Sequence, residues 1–351
     1  MVTDFEQRKK RILELIIEAY VSTAVPVGSE MVARKLRSSL SPATIRTIMG
    51  DLEEAGFIEQ PHTSAGRVPT DLGYRFYVDA VMEIRPLPQE QFRQLQVLIQ
   101  PAELEVGQVL ERAGSALAEL THQAAFVVAP TVKHSTVKQV ELVPLSLRKL
   151  LCVLVVNEEM VASHVVEMDE PMTRDEAAAL SRFMSTELVG LAVHDLLESL
   201  ERRMLAQSDS FYYLVKRSLA ILQHALSTEP NERLLVEGAS YVVSQPEFSR
   251  DPRKAHELLK GLDAEEALVA RVRQDLSGAR VRVRIGHELQ VPGLNECSYV
   301  AAPFAAGEDV IGGIGVLGPK RMDYPRVRAL VEGMGQCITE LLTQWDEADD
   351  A

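Results

Sequence analysis

SPATIRTIMGDLEEAGFIEQPHTSAGRVPTDLGYRFYVD, residues 41–79, passes from a helical pattern through a stiff polar loop and back to a helical pattern. Ser41 suits a helix cap and Pro42 the first helical position, where a missing N–H costs nothing. Ile45, Ile48, Met49 and Leu52 recur at the spacing of one buried helix face. Gly56 fits the position just past the helix end. FIEQP and RVPT then read as short extended stretches joined by HTSAG, where Gly66 supplies turn freedom and both prolines border strands. The result is a β-hairpin appended to a helix. TDLGYRFYVDAVM returns to helix, with Leu72, Phe76, Tyr77 and Val81 available to pack against what precedes.

Working outward, residues 4–23 carry Ile12, Leu15, Ile16, Ala19 and Tyr20 on one helical stripe, and PVGSEMVARKLR gives a turn, a Ser29 cap and a short second helix. Three helices with a tight polar turn between the last two form a helix-turn-helix, and the hairpin makes it a winged helix. A helix of this kind fits the DNA major groove and reads it with outward side chains near its N-terminus. Those are Ser41, Thr44, Arg46 and Thr47. Arg46 can bind a guanine bidentately or a phosphate, and equally can pair with a nearby carboxylate. Ser41 and the first-turn amides suit phosphate. In the hairpin, His62, Thr63, Ser64, Gly66 and Arg67 offer hydroxyls, a cation and a close-approach glycine suited to a DNA backbone, and the same string also suits a plain surface loop.

Composition sets limits on this reading. At 351 residues the chain is long enough for two or three domains. The formal net charge is −14, distributed as −1 over residues 1–85 and −13 over the remainder, so a polyanion site must concentrate its cations on one N-terminal face. The run Arg8, Lys9, Lys10, Arg11 hints at that face, although such runs are commonly only solvated. Cys152, Cys297 and Cys337 are odd in number and sit in or beside apolar stretches, which predicts buried free thiols. The first residues lack a signal-like apolar core and no apolar run approaches a membrane span, so a cytoplasmic location is expected.

Downstream, IRPLPQEQ (84–91) reads as a stiff linker. An amphipathic helix, the strand AAFVVAP and a three-strand antiparallel meander follow, then helices from about 173 to 226 that include VHDLLESLERRMLA. Two further helices near 252–276, the strands RVRVRI, SYVAAPF and VIGGIGVLG, and a closing helix from about Tyr324 complete the chain. GIGVLG matches GxGxxG, but its glycines lie within an apolar strand and Pro319 follows, against the strand–turn–helix context nucleotide binding needs. Arg280, Arg282 and Arg284 alternate with Val281, Val283 and Ile285, which predicts a half-exposed strand with its charges in water. No metal-spaced His/Cys cluster or catalytic grouping is visible; neither cofactor nor metal is expected.

VPVGSEMVA, SPATIR and EQPHTSAGRVPTDLGYRFYVD resemble segments characteristic of the heat-inducible transcription repressor HrcA family, as do QVELVPL, ELVGL, SQPEF, VRIG and IGGIGVLGPKRMDYPRV further along. The resemblance implies a homodimeric repressor of chaperone operons that binds double-stranded DNA at an inverted-repeat operator, CIRCE, and responds to heat through a GroE-type chaperonin. The fold it implies is α+β and multidomain: an N-terminal winged helix-turn-helix, then a GAF-like α/β domain interrupted by an inserted helical and antiparallel-sheet dimerisation domain. Pattern supports the same division, with residues 1–85 for DNA binding, 86–101 as linker, 102–136 with 231–346 as the GAF-like domain, and 137–230 as the insert. The insert's apolar positions (Leu180, Phe183, Met184, Leu191; Leu196, Leu200; Tyr212, Val215, Leu219, Leu222) suit a subunit interface or a core equally. One departure stands out: the family usually follows ATIR with Asn-Glu, whereas this chain has Thr47 and Ile48, and Thr47 cannot make the bidentate adenine contact open to Asn. The alternatives are a metabolite-sensing regulator with an effector in the GAF-like domain and, less suited to the sequence, an enzyme using a winged helix for protein contacts.

Overall fold

The computed structural model describes residues 2–36, 40–62, 65–100, 106–129, 137–157, 160–168, 170–191, 193, 196–197, 199–200, 209–228, 233–276, 280–306 and 309–349. The chain opens with helices α1 (Val2–Thr23), α2 (Ser29–Leu36) and α3 (Pro42–Glu54), the hairpin β1 (Ile58–Glu59) and β2 (Val68–Pro69), and α4 (Asp71–Ala80). α5 (Gln89–Ile99), α6 (Val106–Thr121) and β3 (Ala124–Ala129) follow. Next come β4 (Gln139–Ser146), β5 (Lys149–Asn157), β6 (Met160–Glu167), α7 (Arg174–Leu188) and α8 (Asp209–Thr228). The chain returns through β7 (Arg233–Glu237), α9 (Ala239–Val243), α10 (Pro246–Ser249), α11 (Pro252–Asp263) and α12 (Glu265–Leu276). It ends with β8 (Arg282–Ile285), β9 (Cys297–Ala306), β10 (Asp309–Pro319) and α13 (Tyr324–Asp349). The architecture is α+β. Two compact units result, one of residues Met1–Val128 with Leu234–Ala351 and the other of Ala129–Arg233.

In the first unit, α1, α2 and α3 bury Ile12, Leu13, Ile16, Val32, Ile45 and Leu52 together, as their spacing predicts. α4 is turned from the expected orientation: Tyr74, Tyr77 and Val78 are buried and Leu72 is exposed. It has two partners to satisfy. Phe76 stacks on Phe57 at 5.0 Å, while Tyr74 faces Tyr324 at 5.9 Å. The stretch read as a linker is helical over Gln89–Ile99, because Leu95 and Ile99 bury and Gln96 donates to Glu340 of α13 at 3.0 Å. Its prolines lie before the helix and do not interrupt it.

The five-stranded sheet has the order β7-β3-β10-β9-β8, with β3–β10, β10–β9 and β9–β8 antiparallel. In chain order of the five strands this is second, first, fifth, fourth, third. One face carries Phe126, Tyr299 and Ala301 into a core with Leu258, Leu262, Leu268 and Leu276 of α11 and α12. The other presents Ala302 and Ile314 to α13 at Gly335. The β10 glycines serve this packing: a Cβ at Gly313 would stand 2.0 Å from Leu276 and one at Gly315 2.3 Å from Phe126. Cys297 and Cys337 in this unit and Cys152 in the other are buried and free, and burial pushes each thiol up to about 12.

The reading of RVRVRI as a strand with its charges in water holds for the exposed Arg280 and Arg282 and is corrected for Arg284. Arg284 hydrogen-bonds the Asp275 carboxylate, Arg282 donates to the Asp275 carbonyl at 3.3 Å, and the Tyr299 hydroxyl also donates to the carboxylate. Asp275, on α12, is only 2% exposed, and a carboxylate so enclosed must find cations.

In the second unit, β4-β5-β6 form an antiparallel sheet whose inner residues Val140, Leu142, Leu150, Cys152, Leu154 and Val166 pack against α7 and α8. Ser181 and Ser185 of α7 both donate to the Val140 carbonyl, at 3.1 and 2.7 Å, tying the helix to the edge strand. Leu180, Met184, Leu196, Leu200, Val215 and Leu222, left open between interface and core, are core, and Phe183, Leu191 and Leu219 pack against it. The side chain of Tyr212 and most of VHDLLESLERRMLA lie outside the described residues.

Burial raises the Asp275 carboxyl, but the hydrogen bonds from Arg284 and Tyr299 and the charge of Arg271 outweigh it, leaving the group below its ordinary 3.8. Its contribution to stability is therefore complete above pH 3.8 and is lost as pH falls through the lowered folded value. Asp275→Ala is expected to cost about 3 kcal/mol at neutral pH in denaturant unfolding, with the deficit shrinking in acid.

Candidate nucleic-acid interface

α3 is capped at both ends. Ser41 accepts from the Thr44 amide at 3.1 Å and its hydroxyl meets the Thr44 hydroxyl at 3.0 Å; at the far end Ala55 N–H donates to Asp51 O and Gly56 takes φ 79°. Ile45, Ile48, Met49 and Leu52 face inward, so Ser41, Thr44, Arg46 and Thr47 face solvent. Arg46 is exposed and has no hydrogen bond or ion pair among the described residues. Ser41 already occupies the Thr44 amide, so that first-turn donor is not open to a phosphate. Thr47 donates back to Ala43 O at 3.3 Å, leaving its oxygen and methyl outward.

The basic run of α1 divides its labour. Lys9 pairs with Asp51 of α3 at 3.5 Å, Lys10 lies 5.7 Å from the Phe76 ring centre, and Arg11 pairs with Glu14 at 2.5 Å. Arg8 lines an open groove of about 380 Å³ with Leu40, Ala43, Thr44, Thr47 and Ile48. It extends the outward face of α3 with a cation from another helix. Sequence pattern shows the charge run but not that Lys9 and Arg8 are the members that reach α3.

The hairpin pairs Ile58 with Pro69 and Glu59 with Val68, and Val27 forms an isolated antiparallel bridge with Arg67 through two backbone hydrogen bonds of 2.9 Å each. Gly66 has a different role from the one expected. Its φ is not in the left-handed region; a Cβ there would lie 2.5 Å from the Val27 carbonyl carbon, so glycine is required for close backbone approach. Arg67 also differs. Its guanidinium binds Glu53 at the end of α3 through Nε and Nη2, both at 2.9 Å, and is half-buried. The arginine read as a DNA contact thus joins the hairpin to the helix. His62 is exposed, and Gln60 donates to Ala65 O at 3.0 Å across the loop. Thr63 and Ser64 lie outside the described residues.

Comparison with known proteins adds the lineage. Residues 107–327 match the family described as HrcA protein C terminal domain. The heat-inducible transcription repressor HrcA of Symbiobacterium thermophilum is 35% identical over 96% of this chain and 98% of its own. That of Geobacter sulfurreducens is 32% identical over 97% and 99%. Among solved structures, a hypothetical protein at 2.2 Å resolution aligns over 98% of this chain and 99% of its own, with TM-score 0.60 and 24% identity, and shares the fold.

Gly66→Ala is expected to push the hairpin from Val27 and destabilise the protein by about 1–3 kcal/mol. Hydrogen exchange should show this first at the Val27 and Arg67 amides; unchanged protection there would contradict the close-approach role.

Proposed function

The chain belongs to the heat-inducible transcription repressor HrcA family, acting in negative regulation of heat-shock genes, and we propose that it does so as a homodimer whose two winged helices read the arms of an inverted-repeat CIRCE operator. The observation that carries this reading is Arg46: an exposed guanidinium, without an ion pair among the described residues, on the fixed outer face of a capped helix whose Thr44 and Thr47 line a groove with Arg8. Such a group suits a guanine edge in the major groove. His62, with Thr63 and Ser64, would lie along the phosphate backbone, while Ser41, Gly66 and Arg67 hold the helix and hairpin in shape.

On this reading residues 1–85 are the DNA-binding domain and 86–101, including α5, connect it onward. Residues 102–136 with 231–346 form the GAF-like domain, and 137–230 the dimerising insert. Exposed Val143, Leu145, Leu147 and Val165 on the insert supply apolar surface for self-association. No described helix is long and apolar enough to cross a membrane, in keeping with a cytoplasmic DNA-binding role. Release by heat follows if folding of the insert and dimerisation are coupled, since one or two kcal/mol is a large share of a domain's stability. Dependence on a GroE-type chaperonin is taken from the family and suits a multidomain chain prone to trapped intermediates.

An electrophoretic shift with an inverted-repeat duplex and a scrambled duplex of equal length tests the reading; equal affinity for both would refute it. Arg46→Ala should lose about 1–3 kcal/mol on the operator and little on the scrambled duplex. A phosphate role would instead weaken both alike and lower the salt slope by about one.

A further inference from the structure

Two stretches rich in charged and turn residues, EQPHTSAGRVPTDLGYRFYVD (59–79) and IGGIGVLGPKRMDYPRV (311–327), lie far apart in sequence and meet in the fold. The Asp71 carboxylate takes Lys320 Nζ at 2.9 Å and the His287 amide at 3.3 Å. Gly286 makes the approach possible: it takes φ +55°, and a Cβ there would stand 2.0 Å from Asp71 Oδ2. One turn further along α4, Arg75 donates through Nε to Glu288 Oε1 at 2.8 Å, through Nη2 to Glu288 Oε2, and through Nη2 to the Val283 carbonyl at 2.7 Å. Glu288 is held in turn by the Ile285 amide at 3.1 Å. At the other side of the seam, Arg321 donates to the Val21 carbonyl at the end of α1 at 3.1 Å, and to Gln245 at 2.7 Å. Tyr74 and Tyr324, both buried, close the middle.

These contacts differ in kind from a greasy interface. Apolar faces can slide, whereas a guanidinium fork on a carboxylate and a backbone carbonyl together accepts one angle. None of these residues lies on the outer face of α3. A pair of heads reading a repeat gains most from being held at the correct separation, because the second arm then binds at high effective concentration.

We infer that Asp71 and Arg75 are positioning residues, locking the reading head onto the five-stranded sheet through Lys320 and Glu288 and thereby setting which separation of operator arms the dimer accepts. The inference rests on the DNA-reading function proposed above. The test measures affinity of the full chain for inverted-repeat duplexes whose arms are moved apart one base pair at a time across a helical turn, and for a single-arm duplex. The unmutated protein should peak at one spacing. Arg75→Ala and Glu288→Gln should keep single-arm affinity, lose about tenfold or more at the preferred spacing and flatten the profile. Arg75→Lys, which keeps the charge without the fork, should restore part of the peak. Glu288→Gln removes a charge with little change of shape and serves should Arg75→Ala not fold, as thermal unfolding will tell. An unchanged peak in both variants, or an equal loss on the single-arm duplex, overturns the lock. No preference of the unmutated protein for the repeat would instead bring down the DNA reading itself.

Discussion

Helix α3 cannot turn about its axis. Ile45, Ile48, Met49 and Leu52 are at most 4% exposed, and each buried side chain of this size is worth about 1.5–3 kcal/mol. Rotation by a single residue, about 100°, would bring that stripe into water and drive Arg46 or Thr47 into the core. The outer face is therefore constant without any outer residue having to hold it. Capping by Ser41 and closure at Gly56 fix where the helix begins and ends, which settles how far Arg46 stands from the first turn.

The hairpin depends on that fixed helix. Arg67 joins it to Glu53, and the backbone exchange between Arg67 and Val27 ties it to the segment before α2. The two-stranded hairpin and the Val27 segment are thus bridged, and Gly66 is the residue that lets them touch. Within the same unit, α4 carries the constraint onward: its aromatic side is packed, and its charged side is engaged by residues more than 200 positions away. The other unit leaves the sheet after β3 and returns at β7, which are neighbours in the strand order, so an insertion there leaves strand pairing undisturbed.

Periodicity and punctuation were legible along most of the chain. The helices of the head, the hairpin, the antiparallel meander and the glycine-bearing strand all follow from spacing, caps and turn residues, because these act over a few residues. Misread positions share a different character. The prolines of IRPLPQEQ drew attention from Leu95 and Ile99, whose partner α13 lies at the far end of the chain. In RVRVRI the pairing of Arg284 is invisible from the strand because Asp275, which receives it, belongs to a helix. Gly66 seemed a turn residue because the Val27 backbone is invisible from position 66.

By itself, then, the sequence determined which residues of α3 face out, where the hairpin lies and to which family the chain belongs, since helix period, caps and an extended motif are local properties of the string. Only the tertiary structure decided that Arg67 is engaged by Glu53 while Arg46 has no ion pair among the described residues, that Lys9 pairs with Asp51 of α3 and Arg8 lines the groove beside it, and that Asp71 and Arg75 face the sheet. A side chain's charge is written in the sequence, but its partner is fixed by distance in space, and an arginine pairs with whichever carboxylate the packed backbone brings within reach.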